Sequence, residues 1–287
     1  MKIKGLMGKV PVGDKIRIMG VINVSPESFY KGSVKLTAEE IAKTAAEMEK
    51  EGADFIDIGA MSTAPYLKTM ISADEEIERL RPAVKIVKDT CSLAISVDTP
   101  RAETADAALT LGAGIINDVT GLKYDPSIAG IVADHGASVI LSAYEKCTVS
   151  GNAIRTTIQA LRKSIKIASD AGIRSNRIIV DPAIGFFRAK GNNPFFTRMK
   201  GIEWLDRDLI LIRRLKDLQI LRKPICISVS RKSFIGKILN IENPEDRLLG
   251  SLAAETICAI NGAHIIRTHN VSSTMQAVNI SEALMRR

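Results

Sequence analysis

The sequence contains few aromatic residues and no long apolar run, and these two scarcities narrow what the chain can do. Aromatic residues make up 4% of the 287 positions, and none of them interleaves with the basic residues. A surface that stacks nucleic-acid bases needs such aromatic side chains, so no nucleic-acid partner is expected. No stretch approaches the roughly 18 to 20 consecutive apolar residues of a membrane span, so no membrane partner is expected either.

Cysteine is also scarce, and the spacing of the four cysteines excludes the usual metal and disulfide patterns. None of them forms a CxxC pair or pairs with histidine at a ligand spacing, so neither a disulfide framework nor a zinc site is expected. The first 15 residues lack the apolar core of a signal peptide. We therefore expect a cytoplasmic protein. Its net charge of +8 suits anionic ligands without identifying them.

Short β-rich runs alternate with longer segments of helical period along the chain, which is typical of repeated βα units. The runs are almost continuously apolar, as in strands that are buried on both faces. Strands are predicted at 17–23, 54–58, 93–98, 114–118, 137–142, 177–181, 224–229 and 263–267. Helices are predicted at 37–51, 73–89, 100–112, 126–135, 153–172, 203–220, 246–261 and 271–286.

Eight strands and eight helices in strict alternation predict an α/β protein, a (β/α)8 TIM barrel. No linker or low-complexity tract interrupts the chain, so we expect residues 1–287 to form a single domain. Residues 1–14 are predicted to form a short N-terminal β-hairpin that closes the bottom of the barrel, with its turn at Val12-Gly13-Asp14. An open doubly wound sheet is the alternative, but its G-x-G-x-x-G motif is missing.

Polar residues that could carry chemistry stand at the C-terminal ends of most predicted strands. In a parallel barrel these ends meet at one mouth, where active sites are assembled from distant parts of the sequence. The pattern therefore predicts one site in which carboxylates, amides and cations converge. Its members are Asn23, Asp98, Asn117, Asp181, the run Ser230-Arg231-Lys232, Arg267 and His269.

Asp98 and Asp181 are the acidic members of this set. A carboxylate at the end of a buried strand is costly unless something pairs with it, so both could accept hydrogen bonds from the N–H groups of a flat heterocycle. Asn117 carries both a donor and an acceptor and suits the same task. The alternative is that all three residues have a local structural role, as capping residues or turn residues of the loops that follow them.

The basic members follow the seventh and eighth strands, where barrels often bind phosphate. Lys232 offers a point charge for an anion or a ring carbonyl, whereas an arginine offers a planar fork. Arg267 and His269 would face the same anion. The alternative is that these are solvated surface residues.

Asn23 leads into a Ser-Pro loop after the first strand. An amide oxygen beside a diphosphate is a suitable Mg²⁺ ligand, because this ion prefers a few oxygen ligands together with substrate phosphates. Glu27 could assist from the same loop, or it could be an exposed acid. We expect the loops at 24–36, 60–72 and 186–202 to surround the mouth.

Taken together, these residues resemble the motifs of the dihydropteroate synthases of the pterin-binding TIM-barrel superfamily, from about residue 17 to the C-terminus. Eight matching segments in the same order make the resemblance specific. They are 19–29 (MGVINVSPESF), 52–59 (GADFIDIG), 96–99 (SVDT), 115–119 (IINDV), 181–186 (DPAIGF), 230–236 (SRKSFIG), 247–253 (RLLGSLA) and 262–269 (GAHIIRTH).

The resemblance implies a transferase of folate biosynthesis that joins 6-hydroxymethyl-7,8-dihydropterin diphosphate to p-aminobenzoate and releases diphosphate. It implies that the pterin ring is held by Asp98, Asn117, Asp181 and Lys232. It implies that the diphosphate is held, with Mg²⁺ as cofactor, by Asn23, Arg267 and His269. It implies that the second substrate approaches along Phe186, Ser230 and Arg231, and that the protein is a homodimer.

Three loop segments depart from the family pattern, and they leave the second substrate open. They are Ser62-Thr63-Ala64-Pro65-Tyr66, which lacks the usual arginine, Tyr30-Lys31-Gly32-Ser33, and Leu141-Ser142-Ala143-Tyr144-Glu145. An aryl amine related to p-aminobenzoate is therefore an alternative. Two further functions stay open at this point: a tetrahydropterin-dependent methyltransferase and a non-catalytic pterin-binding paralogue.

Overall fold

A parallel sheet of eight strands forms the centre of the computed structural model, which describes residues 3–28 and 30–285. The strands are β1 (Arg17–Asn23), β2 (Phe55–Gly59), β3 (Ala94–Asp98), β4 (Ile115–Asp118), β5 (Ser138–Ser142), β6 (Ile178–Asp181), β7 (Cys226–Ser228) and β8 (Ile265–Thr268). Their order in the sheet is β7-β8-β1-β2-β3-β4-β5-β6. A bridge between Val180 and Ile225 links the two edge strands. This confirms the predicted (β/α)8 barrel.

Helices surround the sheet, and eight of the nine α-helices in the described part of the chain follow the predicted pattern. They are α1 (Ala38–Lys50), α2 (Ala73–Thr90), α3 (Ala102–Leu111), α4 (Ser127–Asp134), α5 (Ala153–Asp170), α6 (Trp204–Arg213), α7 (Ser233–Leu239), α8 (Leu248–Ile260) and α9 (Val271–Met285). The helix predicted to end at residue 286 is described only as far as residue 285.

Two helical segments differ from the prediction. The segment predicted as one helix over 203–220 ends as an α-helix at Arg213 and continues as a 3₁₀-helix, Leu215–Leu221. In that stretch Leu215, Leu218 and Leu221 are buried, and a spacing of three matches the three residues per turn of a 3₁₀-helix. Helix α7 was not predicted, because its seven residues directly follow the basic motif and are too few to show a helical period.

The alternation of side chains along each strand explains how the site is assembled. Successive residues of a strand point to opposite faces of the sheet. In β2, Ile56 and Ile58 pack toward the helices, whereas Phe55 and Asp57 face the barrel interior. The same alternation directs one polar residue from each of several other strands into the upper interior of the barrel: Asp98, Asn117, Asp181 and Arg267.

The N-terminal hairpin is confirmed, but its predicted turn is wrong. Strands Gly5–Met7 and Val10–Val12 pair antiparallel, so the turn lies at Gly8-Lys9 rather than at residues 12–14. Gly8 has φ +59°, a left-handed conformation that glycine adopts without steric cost. Met7 and Val12 are buried against the lower ends of the barrel strands, so the hairpin closes the bottom. Residues 1 and 2 lie outside the described residues.

The loops after β2 and β6 are joined at the mouth of the barrel. The side-chain amide of Asn193 donates to the carbonyl of Ala64 at 2.7 Å, and that of Asn192 donates to the carbonyl of Tyr66 at 2.9 Å. Three short parallel strands brace the loops after β5 and β6: Val149–Ser150, Phe187–Arg188 and Thr197–Lys200. Within residues 3–28 and 30–285, no helix combines the length and apolarity that a bilayer crossing requires.

Candidate active site

A cavity at the C-terminal mouth of the barrel brings together eight of the ten predicted site residues. They are Asn23, Asp98, Asn117, Asp181, Phe186, Lys232, Arg267 and His269. Side chains that are up to 246 positions apart in sequence therefore meet at one rim. Ser230 and Arg231 are not among the cavity-lining residues. Phe29, which ends the first matching segment, lies outside the described residues.

The floor of the cavity is an ion network centred on Arg267. Its Nε donates to Oδ2 of Asp57 at 2.6 Å, and its Nη2 donates to Oδ2 of Asp98 at 3.2 Å. Asn117 donates to the same Asp57 oxygen at 3.0 Å. Burial works against the charge of Arg267, but the two carboxylates outweigh it and raise the pKa of the guanidinium. Arg267 is therefore a fixed cation with a defined orientation.

Asp57 was missed among the predicted site residues, although the sequence contains a signal for it. It is the only charged residue of β2, whose five residues are all buried. A fully buried carboxylate requires a cation or several hydrogen bonds, so the strand implies a buried basic partner. That partner is Arg267, 210 positions away in sequence. The pairing could not be assigned before the fold was known.

Two carboxylates, the half-buried Asp98 and the buried Asp181, face the cavity. Within the described residues, Oδ1 of Asp98 is buried without a hydrogen-bond partner, whereas Oδ1 of Asp181 accepts from the backbone N–H of Ala183 at 2.6 Å. Burial raises the pKa of Asp98 to about 7 against the opposing effect of Arg267, and it raises the pKa of Asp181 to about 6. A buried carboxylate oxygen without a partner is a position that a ligand N–H would satisfy.

Lys232 is a second cation of the same cavity, and its charge acts on both carboxylates. Its Nζ lies 4.4 Å from the centroid of the Phe186 ring, within the range of a cation–π contact. Burial, followed by the repulsion of Arg267, lowers the pKa of Lys232 to about 8. The lysine stem packs closely on Gly185, where an added Cβ would lie 3.3 Å from Lys232 Cδ and where φ is +88°. The glycine therefore leaves room for the lysine.

His269 stands in a strongly electropositive part of the cavity wall. Its ring packs edge-to-face on Tyr30 with 5.0 Å between ring centroids. Burial, and then the charges of Arg267, Arg231 and Lys232, hold the pKa of His269 well below its ordinary value. Three cations that act on one imidazole mark a position suited to an anion.

Ser230 and Arg231 lie behind the cavity, which differs from the expectation that they line the approach of a second substrate. The hydroxyl of Ser230 accepts a hydrogen bond from the backbone N–H of His269 at 3.3 Å. Arg231 has φ +56°, and this left-handed backbone turns its side chain away. The guanidinium packs over the Tyr30 ring at 4.5 Å and donates to Asn270 Oδ1 at 2.7 Å. Both residues therefore brace the wall that carries His269.

Among the described residues, the Asn23 side chain forms its hydrogen bonds through Nδ2, which leaves Oδ1 for a ligand. Its Nδ2 donates to Ser33 Oγ at 2.7 Å and to Ser28 Oγ at 3.2 Å. Glu27 instead forms an ion pair with Arg79 at 2.9 Å. Within residues 3–28 and 30–285, no group of three or more histidine, cysteine, aspartate or glutamate residues could hold a metal. The oxygen donor of Asn23 fits Mg²⁺ as a single protein ligand beside substrate phosphates.

The loop segments that depart from the family pattern lie around the outer part of the cavity. Residues 62–66 and Ser142 line it directly. Tyr30, from the first loop, contacts it through His269. The departures therefore change the entrance of the cavity and leave the carboxylates at its floor in place.

Comparison with known proteins agrees with this geometry. The family described as "Pterin binding enzyme" matches residues 19–269. The dihydropteroate synthase of Synechocystis sp. is 33% identical, over 96% of this chain and 92% of the relative. The structure of the Xanthomonas albilineans dihydropteroate synthase with 4-aminobenzoic acid superposes with a TM-score of 0.85 at 29% identity, and all of both chains is covered.

A second solved structure gives the same result. The Coxiella burnetii dihydropteroate synthase in complex with pteroic acid has a TM-score of 0.83 and 30% identity, with 99% of each chain covered. These relatives favour neither the methyltransferase nor the non-catalytic alternative. The chain belongs to the dihydropteroate synthase family of pterin-binding enzymes.

Proposed function

We propose that the protein condenses 6-hydroxymethyl-7,8-dihydropterin diphosphate with p-aminobenzoate, or a related aryl amine, and releases diphosphate, in one barrel domain that spans residues 1–287. Related dihydropteroate synthase structures hold pteroic acid, 4-aminobenzoic acid and 7,8-dihydropteroate, which supports these substrates. The observation that carries the proposal is the buried Oδ1 atom of Asp98, which has no hydrogen-bond partner among the residues that the structure describes and lies in a cavity shared with Asp181 and Lys232.

The floor of the cavity supplies the groups that a pterin ring requires. Asp98 and Asp181 would accept hydrogen bonds from ring and amino N–H groups, and Asn117 would add its remaining amide capacity. Lys232 would donate to the ring carbonyl. Phe186, which lies beneath the lysine, would cover one side of the bound substrates.

The reaction requires one bond to break and one to form. The bond between the pterin methylene carbon and the diphosphate oxygen breaks, and its electron pair leaves with the diphosphate. The amine nitrogen forms the new carbon–nitrogen bond and loses a proton. Arg267 and His269 would stabilise the departing anion, and the arrival of that anion would raise the pKa of His269 by offsetting the nearby cations. The barrel wall would hold both substrates in line.

Magnesium fits this site through Asn23. The Oδ1 atom of Asn23 would hold Mg²⁺ together with diphosphate oxygens of the substrate. When bound, the ion would supply positive charge that favours loss of the diphosphate. Ser28 and Ser33 would keep the amide oriented for this contact.

The proposal is tested by measuring diphosphate release from the pterin diphosphate with and without p-aminobenzoate. We expect release that depends on the amine, with the joined pterin–amine product in equal amount. A panel of aryl amines then identifies the preferred second substrate. Release that is independent of every amine, or pterin binding without turnover across the panel, would contradict the proposal.

The pH dependence of pterin binding follows from the shifted pKa values of Asp98, Asp181 and Lys232. We expect the affinity to be highest between about pH 7 and 8. Below this range Asp98 and Asp181, whose pKa values burial raises to about 7 and about 6, gain protons and become weaker hydrogen-bond acceptors. Above this range Lys232, whose pKa burial lowers to about 8, loses its proton. Titration calorimetry from pH 5 to 9 checks this, and an affinity that does not change over this interval would refute the assignment.

We also propose that the protein is a homodimer that pairs through helices α8 and α9. Leu249, Ile257 and Ile260 follow one face of α8 and are exposed, and Ile280 and Leu284 are exposed on the adjoining helix α9. Leu249 and Leu284 are 80% and 81% exposed. Large apolar side chains exposed on two adjoining helices are typical of an interface.

Replacing Leu249 by glutamate tests the dimer. We expect Leu249→Glu to convert the dimer to a monomer, because a charge would be buried without a partner in the interface. Light scattering after size-exclusion chromatography measures the mass. Leu36→Glu is the control, since Leu36 is 59% exposed in the loop before α1. A wild-type monomer, or an unchanged mass for Leu249→Glu, would refute the assigned surface.

We further propose a cytoplasmic location. The cysteines Cys91, Cys147, Cys226 and Cys258 are all unpaired. Unpaired thiols are typical of a reducing compartment, which supports this location.

A further inference from the structure

Arg207, in α6, is fully buried although it does not line the cavity. Its guanidinium donates to the carbonyls of Pro182 at 2.6 Å and Ala183 at 2.9 Å, and it pairs with Asp208 Oδ1 at 3.0 Å. Burial lowers the pKa of Arg207 to about 10, against the opposing effect of Asp208. A buried ion pair is often no more stabilising than apolar side chains of equal volume. Its presence therefore calls for a specific role.

Asp208 completes the attachment of the same segment. Its Oδ2 accepts from the backbone N–H of Gly185 at 3.0 Å and lies 3.6 Å from the guanidinium of Arg188. Adjacent residues of α6 thus hold three backbone groups of the segment 182–185. Ala183 in this segment has φ +59°, which is costly for a residue with a Cβ and persists only where the surroundings enforce it.

The conformation of this segment determines the position of three cavity groups. The N–H of Ala183 donates to Asp181, so the turn at Ala183 orients that carboxylate. Gly185 packs against the stem of Lys232. Phe186 follows directly and contacts the lysine ammonium through its ring. Each of these contacts depends on backbone atoms that the Arg207–Asp208 pair fixes.

We propose that Arg207 and Asp208 are positioning residues for the pterin site: they hold residues 182–186 in the backbone conformation that brings Asp181, Phe186 and Lys232 together. This inference rests on the proposed function, because the ligand it serves is the pterin. The pair does not line the cavity; it acts on the site through the backbone, and its charges also act electrostatically on Asp181 and Lys232. Its loss should therefore weaken pterin binding more than binding of the amine.

The test is Asp208→Asn, compared with wild type and with Asp54→Asn. The amide presents one donor and one acceptor where the carboxylate accepts twice, so either Gly185 N–H or Arg207 faces another donor. Asp54 is a matched control at the bottom of the barrel, where it pairs with Arg17 at 2.9 Å and accepts from the N–H of Ile18 at 2.9 Å.

For Asp208→Asn we expect the KM for pterin diphosphate to rise about 10-fold, because the variant loses one hydrogen bond to a charged group. The KM for the amine should stay within about 2-fold of the wild-type value. We expect faster amide hydrogen exchange at residues 183–186. Asp54→Asn should change neither the KM for pterin diphosphate nor the amide exchange at residues 183–186. If Asp208→Asn does not fold, Arg207→Lys should show the same direction of change, because a lysine cannot replace the two-armed fork.

A lower melting temperature with unchanged pterin KM and unchanged exchange at 183–186 would overturn the proposal, since it would leave the pair a purely structural role. Hydrogen exchange and binding of unreactive 6-hydroxymethylpterin do not depend on turnover. If wild type fails to release diphosphate, the proposed reaction is wrong, while these two measurements still decide whether the pair positions the loop.

Discussion

Replacing Arg267 by alanine should lower the free energy of unfolding at pH 8 by about 3–5 kcal/mol, the cost of leaving a buried charge without its partner. Asp57 is fully buried, and within residues 3–28 and 30–285 the hydrogen bond that remains to it is the one from Asn117. Asp98 also loses its contact with the guanidinium. Urea denaturation at pH 8, above the pKa of about 7 to which burial raises Asp98, measures the change.

A second substitution separates the structural effect from the chemical one. In the double variant Arg267→Ala/Asp57→Asn the unpaired carboxylate is gone, so we expect at least half of the lost stability to return. The kinetic defect should stay, because the cation that would receive the diphosphate is still absent. Wild-type stability and kinetics in Arg267→Ala would contradict both the stabilising role of Arg267 and its role in binding the diphosphate. Full kinetic recovery in the double variant would contradict the anion role alone.

Replacing Asp98 by asparagine should weaken pterin binding about 10- to 100-fold, which corresponds to the 1.5–3 kcal/mol of a hydrogen bond to a charged group. It should also make the protein more stable at pH 8. Burial raises the pKa of Asp98 to about 7, so the protonated carboxyl favours the folded state. That contribution is complete below the ordinary carboxyl pKa and is lost as the pH rises through about 7. An amide, which never ionises, avoids the loss.

The two effects of Asp98→Asn are measured on the same preparations. Fluorescence titration with 6-hydroxymethylpterin gives the affinity, and thermal unfolding at pH 4.5 and pH 8 gives the stability. The gain in stability should appear at pH 8 and shrink at pH 4.5. Asp54→Asn, remote from the cavity, is the control and should retain pterin affinity. Unchanged affinity in Asp98→Asn would remove this residue from the site.

The barrel and most of the site could be predicted because each depends on local pattern. A polar residue at the end of an apolar strand reaches the mouth wherever the strand lies, and Asp98, Asn117, Asp181 and Arg267 needed only this rule and the alternation of side chains. What the rule leaves open is which side chains pair. The contact of Asp57 with Arg267 joins residues 210 positions apart, and only the closed barrel brings them together.

Backbone conformation is the second feature of the site that could not be predicted from the sequence. Arg231 belongs to the predicted basic motif, but its left-handed φ of +56° sends the side chain behind the cavity, and nothing in its residue type favours that conformation. Arg207 and Asp208 lie in a predicted helix and look like surface charges, since helices of a barrel are exposed on their outer side. Their burial arises from contacts with residues 182–187 and with Thr157 of α5, which sequence periodicity does not describe.

The most direct test of the account is a crystal structure of the protein soaked with 6-hydroxymethylpterin. The account requires a pterin ring on the floor of the barrel mouth, with its N–H groups within hydrogen-bond distance of Asp98 and Asp181 and its carbonyl oriented toward Lys232. A ring bound at another surface, or bound in the mouth without contact to either carboxylate, would contradict it.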